Sequence, residues 1–267
     1  QIKYIATNIC GTSADSATIT FNAAPTTSAG ADVTICNGAS TTLTATSAGN
    51  ATFVWSPSTG LISGTTTASV TANPSTTTTY TVTGTIGSCT STDEVTVTVN
   101  PLPAPTITAS ATTICEGTST TLTASSGSGY TYTWSDGTNT VGTGQSIVVS
   151  PTADTDYEVT ATTSAGCTAT SAAITINVTP ATVATISATA TTVCAGTSAT
   201  LTASSGDSYL WSDGSTGSTL TVTPTSTTSY SVTVTTNSCS TTSAVTTITV
   251  NQMPIVAAIN GNTEVCD

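Results

Sequence analysis

Residues 114–124 read ICEGTSTTLTA, residues 130–136 read YTYTWSD and residues 151–159 read PTADTDYEV. In each stretch, apolar or aromatic residues alternate with threonine, serine or aspartate, so side chains two positions apart share one face of a strand. Threonine and valine favour pleated, half-buried surfaces because their β-branched side chains are restricted at χ1. Glycine, serine, aspartate and proline separate the stretches, as in turns. The sequence therefore predicts short β-strands joined by turns.

The same series of motifs occurs three times, with a period of about 79 residues that shortens toward the end of the chain. Each copy opens with an aliphatic residue, cysteine, a variable residue and glycine, and continues through Thr-Leu-Thr-Ala. An aromatic pair ending in tryptophan follows, and then a proline that precedes a tyrosine by six positions. Because these aromatic residues recur at one point in every unit, we predict that they form the core: Trp55, Trp134, Trp211, Tyr80, Tyr157 and Tyr230.

Proline-containing connectors mark the boundaries between units. We predict whole repeats at 25–100, 101–179 and 180–251, the closing part of a preceding repeat at 1–24 and the start of a following one at 252–267. Connectors rich in proline are extended and semi-rigid. We therefore expect the domains to form a rod rather than a cluster.

The number of strands in each unit predicts the fold class. Six or seven short strands within about 75 residues are typical of a β-sandwich. A tryptophan on the third strand and a tyrosine before the penultimate strand are features of immunoglobulin-like sandwiches. The prediction is an all-β protein built from tandem immunoglobulin-like β-sandwich repeats arranged as an extended rod.

The eight cysteines form two interleaved periodic series, without histidine or a Cys-x-x-Cys pair to suggest a metal site. Disulfides are therefore favoured, and they place the protein in an oxidising, extracellular space. Both cysteines of a unit are expected at strand ends. One disulfide would then join these strand ends at one end, or pole, of each sandwich. The predicted intradomain pairs are Cys36–Cys89, Cys115–Cys167 and Cys194–Cys239, and Cys10 and Cys266 are expected to lack partners within this sequence.

Charge excludes several classes of function. The chain has a net charge of −12, one lysine, no arginine and no histidine. Such a surface repels phosphate, which argues against nucleic-acid binding and against docking on anionic lipid. No apolar run is long enough to cross a bilayer. Without histidine there is no Ser-His-Asp or Cys-His nucleophile and no His-ligated catalytic metal. We predict a protein that is not an enzyme, needs no cofactor, binds no nucleic acid and does not insert into membranes.

The motifs quoted above resemble the tandem immunoglobulin-like or PKD-like repeats of very large cell-surface adhesins of Bacteroidetes, including gliding-motility adhesins. That resemblance covers essentially the whole chain and implies export by the type IX secretion system. It also implies a structural and adhesive stalk or filament at the cell surface. The implied partners are neighbouring repeats of the same polypeptide, and side-by-side packing of Thr- and Ser-rich faces would add lateral self-association. The surface or glycan ligand is not implied.

The sequence also contains a candidate calcium site and a candidate modification site. Asp154, Asp156 and Glu158 share one face of a predicted strand and present the oxygen ligands that calcium takes. A solvated acidic edge is the preferred interpretation, because the other repeats carry threonine or serine at the matching places. Asp15-Ser16-Ala17 resembles the O-glycosylation motif of Bacteroidetes, which makes Ser16 a candidate for modification.

Two other functions remain as alternatives to the stalk. One is an immunoglobulin-like module that binds glycan or calcium through a single repeat. The other is an accessory region of a secreted enzyme whose catalytic domain lies elsewhere.

Overall fold

The computed structural model describes residues 2–18 and 23–254, and every regular element within these ranges is a β-strand. A short hairpin comes first, formed by β1 (Ile2–Asn8) and β2 (Gly11–Ala17), and all of its side chains are exposed. The rest forms β-sandwiches. We refer to residues 25–100, 101–179 and 180–251 as repeats 1, 2 and 3.

Repeat 1 contains two sheets that face each other across one hydrophobic cluster. Its strands are β3 (Val33–Cys36), β4 (Thr41–Thr44), β5 (Thr52–Ser56), β6 (Ser69–Ala72), β7 (Thr78–Ile86) and β8 (Cys89–Asn100). One sheet has the order β3-β8-β7-β5 and the other pairs β4 with β6. The pairing of β3 with β8 is parallel, whereas the other strand pairings of repeat 1 are antiparallel.

Repeat 2 repeats this plan with additional strands. They are β9 (Ile107–Ala109), β10 (Thr113–Cys115), β11 (Thr120–Ala124), β12 (Thr131–Ser135), β13 (Thr140–Thr143), β14 (Ser146–Val149), β15 (Thr155–Thr162), β16 (Thr168–Thr170) and β17 (Ile174–Thr179). The opening segment changes sheets: β9 pairs antiparallel with β11, whereas β10 pairs parallel with β17 in the opposite sheet. This change of sheet ties the start of the repeat to its last strand.

Repeat 3, which the structure describes throughout, follows the same plan, but it has no strand equivalent to β13 and the strand equivalent to β15 is divided in two. Its strands are β18 (Ile186–Ala188), β19 (Thr192–Cys194), β20 (Ala199–Ala203), β21 (Ser208–Trp211), β22 (Thr219–Val222), β23 (Thr228–Tyr230), β24 (Val232–Thr236), β25 (Cys239–Thr242) and β26 (Thr246–Asn251). Here β18 pairs antiparallel with β20, and β19 pairs parallel with β26. The sandwich order and the change of sheet make the repeats immunoglobulin-like.

Each core is built around one tryptophan and one tyrosine. Trp55, Trp134 and Trp211 are almost fully buried. In every repeat the indole N–H donates to a backbone carbonyl oxygen, that of Thr67 (3.0 Å), Gly144 (2.8 Å) or Gly217 (3.0 Å). The tyrosines are buried beside them: Tyr80, Tyr157 and Tyr230. The three hydrophobic clusters of the described residues each lie within a single repeat.

The last strand differs between repeats. In repeat 1 it is continuous, whereas repeats 2 and 3 interrupt it after β16 and after β25. A buried serine lies at each interruption, and its Oγ accepts a backbone N–H from the neighbouring strand: Val159 donates to Ser171 at 3.1 Å and Val232 to Ser243 at 3.1 Å. In an uninterrupted strand pair, a backbone carbonyl oxygen would accept each of these N–H groups. Here the serine hydroxyl takes its place, so the buried N–H keeps a hydrogen bond.

Candidate functional site: the disulfide junctions between repeats

The first cysteine of each repeat lies at the end of the parallel strand pair. Cys36 is opposite Asn100, Cys115 opposite Thr179 and Cys194 opposite Asn251. Asn100, Thr179 and Asn251 each end the last strand of their repeat. The first cysteine therefore lies at the pole where the chain leaves the repeat, which we call the exit pole.

A tight turn fixes each of these cysteines and explains the recurring Cys-x-Gly motif. The carbonyl oxygen of the cysteine accepts the N–H three residues later, at 2.9 to 3.0 Å in all three repeats. The glycine in each turn has a positive φ, with values of 85°, 81° and 79° for Gly38, Gly117 and Gly196. Glycine adopts this conformation without steric cost.

The second cysteine of each repeat lies in the hairpin between its last two long strands. Cys89 is paired with Ile86, and Cys239 with Thr236. Cys167 closes the same hairpin in repeat 2, where its carbonyl oxygen accepts the N–H of Thr163 at 2.9 Å. Cys167 and Cys239 are buried, with 1% and 6% of their surface exposed. This hairpin lies at the opposite end of the last strand from the exit pole, at what we call the entry pole.

The two cysteines of one repeat are too far apart to bond. The strand β8 begins at Cys89 and ends at Asn100, beside Cys36. At about 3.3 Å per residue, its two ends are separated by about 36 Å. A disulfide needs Cα atoms within about 7 Å of each other.

The structure instead joins the exit pole of one repeat to the entry pole of the next. Cys36 of repeat 1 bonds to Cys167 of repeat 2, and Cys115 of repeat 2 bonds to Cys239 of repeat 3. Both bonds have a Cα–Cα distance of 5.6 Å. The predicted intradomain pairs Cys36–Cys89, Cys115–Cys167 and Cys194–Cys239 are therefore corrected. The two cysteines of a repeat lie at opposite poles and not, as predicted, at one pole.

Cys10, Cys194 and Cys266 complete the two series of cysteines. Cys194 ends β19 and is exposed. Cys10 lies in the exposed turn of the first hairpin, where its N–H donates to Oδ1 of Asn8 at 2.8 Å, and it has no disulfide in the described part of the chain. Cys266 lies outside the described residues.

Two of the three predicted calcium ligands accept hydrogen bonds within repeat 2, and the third, Glu158, lies opposite Ser135 in the pairing of β15 with β12. Oδ1 of Asp154 accepts the N–H of Val178 at 2.7 Å, and Oδ1 of Asp156 accepts the hydroxyl of Thr175 at 2.5 Å. Both carboxylates thus tie the start of β15 to β17. Over residues 2–18 and 23–254, no group of three or more His, Cys, Asp or Glu side chains is placed to hold a metal ion. Ser16 lies on the exposed strand β2.

Repeat 2 has a concave surface beside Tyr130. It has a volume of about 520 Å³ and is lined by Tyr130, Tyr132, Gly144, Gln145 and nearby threonines. The rings of Tyr130 and Tyr132 are 6.4 Å apart and tilted by 59°. The hydroxyl of Tyr132 donates to the carbonyl oxygen of Ser125 at 2.8 Å, which leaves Tyr130 as the more exposed ring.

Comparison with known proteins agrees with this architecture. Residues 103–180 match the family model described as "Ig-like domain CHU_C associated". The protein is a tandem array of Ig-like repeats. The matched segment coincides with repeat 2, which contains both the concave surface and one half of each disulfide junction. No curated protein matches the chain. Within the described residues there is no helix that could span a membrane.

Solved structures with several immunoglobulin domains are among the matches. A variant of titin domains I67–I69 is 12% identical, with a TM-score of 0.47, covering 86% of this chain and all of that one. The first eight Ig domains of Down syndrome cell adhesion molecule are 15% identical, with a TM-score of 0.47, covering 93% of this chain and 39% of that one. Mouse nectin-like molecule 4 is 13% identical, with a TM-score of 0.38, covering 85% of this chain and 99% of that one.

Proposed function

We propose that this chain is a segment of an extracellular cell-surface stalk, in which disulfides lock each Ig-like repeat to the next. The observation that carries the proposal is the pairing of Cys36 with Cys167 and its repetition, one repeat later, in the pairing of Cys115 with Cys239. A protein that only needed stable domains would be served by bonds within them. Bonds between facing poles fix the direction of one repeat relative to the next.

The packing of the repeats supports this role. Across residues 23–254 the three hydrophobic clusters are separate, so no core shared by these residues orients neighbouring repeats. Interfaces of that kind leave relative domain motion as the default. The connectors after Asn100 and Thr179 are short and contain proline, and each disulfide adds a second covalent link beside its connector. Two links between the same poles restrict bending and twisting, so the array extends as a rod.

The location follows from the same bonds. Disulfides of this kind persist in oxidising compartments. The match of repeat 2 to the CHU_C-associated Ig-like family supports tandem Ig-like repeats. From the resemblance of the sequence motifs we further propose a surface protein of the Bacteroidetes type, exported by type IX secretion and acting in adhesion or gliding. The role is non-catalytic, and the partners are neighbouring repeats of the same polypeptide.

Side-by-side packing of stalks would use the hydroxyl-rich faces. Exposed threonine and serine side chains pair across strands, as between Thr79 and Thr96 at 3.0 Å and between Thr160 and Thr170 at 2.8 Å. With one lysine and thirteen acidic residues in the chain, such faces offer polar contacts without strong local charge. Lateral association through them is the filament-forming part of the proposal.

Imaging of the full-length protein tests the stalk. Negative-stain micrographs and labelling of intact cells should show thin beaded fibres that project from the surface. Addition of a reductant should make the fibres bend more sharply without dissolving the beads, because each repeat keeps its own core. Compact particles, or label confined to the cell interior, would contradict the stalk.

A glycan-binding module is the second candidate, favoured by the concave surface beside Tyr130. The ring of Tyr130 is only partly buried, and an aromatic face next to hydroxyl and amide groups suits stacking on a sugar. A glycan array with the wild type and with Tyr130→Ala tests it. Loss of a specific glycan signal in the variant would favour binding, and absence of signal in both proteins would remove this candidate.

A further inference from the structure

The disulfides change the shortest covalent route along the array. By backbone alone, Cys194 lies 158 residues after Cys36. Through the bond from Cys36 to Cys167, the route contains only the 27 residues from Cys167 to Cys194. Fully extended, at about 3.6 Å per residue, these routes measure about 570 Å and about 97 Å.

The short route follows strands that run the length of two repeats. From Cys167 at the entry pole of repeat 2 it passes along β16 and β17 to the exit pole, then through the connector and along β18 and β19 to Cys194. The segment from Cys89 to Cys115 follows the same course one repeat earlier, along β8, β9 and β10, and the bond to Cys239 extends it. We call these two segments, 89–115 and 167–194, the connecting segments.

We propose that the connecting segments and the inter-repeat disulfides form two staggered tension paths, so that a pulling force bypasses most of each repeat. Force that enters at Cys36 crosses directly to Cys167, so residues 37–166 lie outside this path. Within that range, residues 89–115 belong to the other path, which continues through Cys115–Cys239. The connecting segments are already largely extended strands, so they offer little additional length. The array therefore resists stretching without requiring its cores to be mechanically strong.

Once the poles are known, the spacing of the cysteines agrees with these paths. The intervals from the second cysteine of one unit to the first of the next are 26, 26, 27 and 27 residues. The intervals within units are 53, 52 and 45 residues. A segment that must reach from one pole across two repeats has a fixed length, whereas loops outside the route can shorten freely. The nearly constant interval is the one that lies on the tension path.

The experiment stretches the full chain between Ala39 and Ser198, both exposed, with handles attached through azide-bearing residues so that the cysteines stay untouched. In the oxidised protein the route through Cys36–Cys167 contains 34 backbone residues, or about 120 Å. After reduction it contains 159 residues, or about 570 Å. We expect an almost fivefold difference in length at full extension.

Two paired variants make the route identifiable. Cys115→Ser with Cys239→Ser leaves this route intact, so the oxidised length should stay at about 120 Å. Cys36→Ser with Cys167→Ser leaves only the longer route through Cys115–Cys239, with 117 residues, or about 420 Å. An oxidised wild-type length of about 220 Å would indicate pairing within repeats and would overturn the tension paths. Equal lengths before and after reduction would also overturn them.

This measurement does not depend on the stalk proposal. The tension paths follow from the pairing of the cysteines in the isolated chain, whereas the stalk is tested by images of the full-length protein on cells. A short oxidised length together with compact particles would reject the stalk alone.

Discussion

Cys36 lies opposite Asn100, the last residue of β8, in the parallel register between β3 and β8. This one pairing decides where the first cysteine of a repeat is located. Because an early strand runs parallel to the last one, its end meets the exit pole, whereas the hairpin cysteine stays at the entry pole. In a tandem array the exit pole of one repeat faces the entry pole of the next, so the bonds form between repeats.

The first prediction tests the pairing with a cut in the connector. Trypsin cuts after lysine or arginine, and the chain contains only Lys3. In Pro101→Arg the exposed connector gains a site followed by Leu102. After digestion, the two halves should stay together on a non-reducing gel, because Cys36–Cys167 holds them, and separate once reductant is added.

The control for this cut removes the bond. Pro101→Arg combined with Cys36→Ser and Cys167→Ser should separate into two fragments without any reductant. Separation of the halves in Pro101→Arg alone would show that repeats 1 and 2 are not bonded to each other.

The second prediction concerns a close contact in repeat 1. Gly60 has a φ of +79°, and a Cβ atom there would lie 2.7 Å from the hydroxyl of Tyr80 and 2.8 Å from Cα of Pro74. The Tyr80 hydroxyl donates to the carbonyl oxygen of Thr59 at 2.8 Å, so it has little freedom to move. We expect Gly60→Ala to lose about 2–4 kcal/mol, from the left-handed backbone and the overpacking together.

Gly64 provides the matched control. Its φ is +92°, but a Cβ atom there meets nothing within 4 Å. Gly64→Ala should therefore lose only the backbone part, roughly 1–2 kcal/mol. Denaturant unfolding followed by hydrogen exchange of the β5 and β7 amides measures both variants within repeat 1, and an equal loss in the two would mean that the contact with Tyr80 has no cost.

The third prediction is a pH dependence in repeat 1. Hydrogen bonds from the backbone N–H groups of Ala29 and Glu94 hold the pKa of Asp93 below its ordinary value of 3.8. The Ala29 bond measures 2.8 Å and ties the start of the repeat to β8. A lowered pKa in the folded state means that this stabilisation is present above the ordinary pKa and is lost as the pH falls through the folded value.

Melting curves of the wild type and Asp93→Asn test this directly. The wild type should melt higher at pH 7, and the difference between the two proteins should shrink as the pH falls from about 5 to about 2. A difference that stays constant over this range would mean that the charge of Asp93 does not contribute.

The alternation of apolar and hydroxyl residues was sufficient to predict the sandwich and its recurring aromatic residues. Trp55, Trp134 and Trp211 repeat with the period of the chain, and all three are buried. The interruptions at Ser171 and Ser243 were not predicted, because a buried serine in a Thr- and Ser-rich sequence has no distinctive local pattern.

The disulfide pairing could not be predicted from spacing alone. Both cysteine series have the same period, so pairing within a repeat and pairing one repeat apart fit the sequence equally well. What decides between them is the parallel register of β3 with β8, which is a long-range contact. The one available signal was the nearly constant interval of 26 or 27 residues between units. It becomes meaningful only once the poles are known.

The fourth prediction tests whether the repeats are independent cores. Trp134 is fully buried, and its indole N–H donates to the carbonyl oxygen of Gly144 at 2.8 Å. Trp134→Phe removes buried volume and leaves that carbonyl oxygen without its donor. We expect repeat 2 to lose about 2–4 kcal/mol. Val148→Ala, at a position with 67% exposure on β14, is the control and should change stability by less than about 0.5 kcal/mol.

Hydrogen exchange measured by mass spectrometry locates the loss. Because the hydrophobic clusters of the described residues do not extend across a junction, amides of β11, β12 and β15 should exchange faster in Trp134→Phe, whereas those of repeats 1 and 3 should not. On this prediction the disulfides fix the orientation of neighbouring repeats but do not stabilise a neighbouring core. Faster exchange spread equally over all three repeats would mean that the junctions couple folding as well as orientation, and the separation of core from linkage would then be wrong.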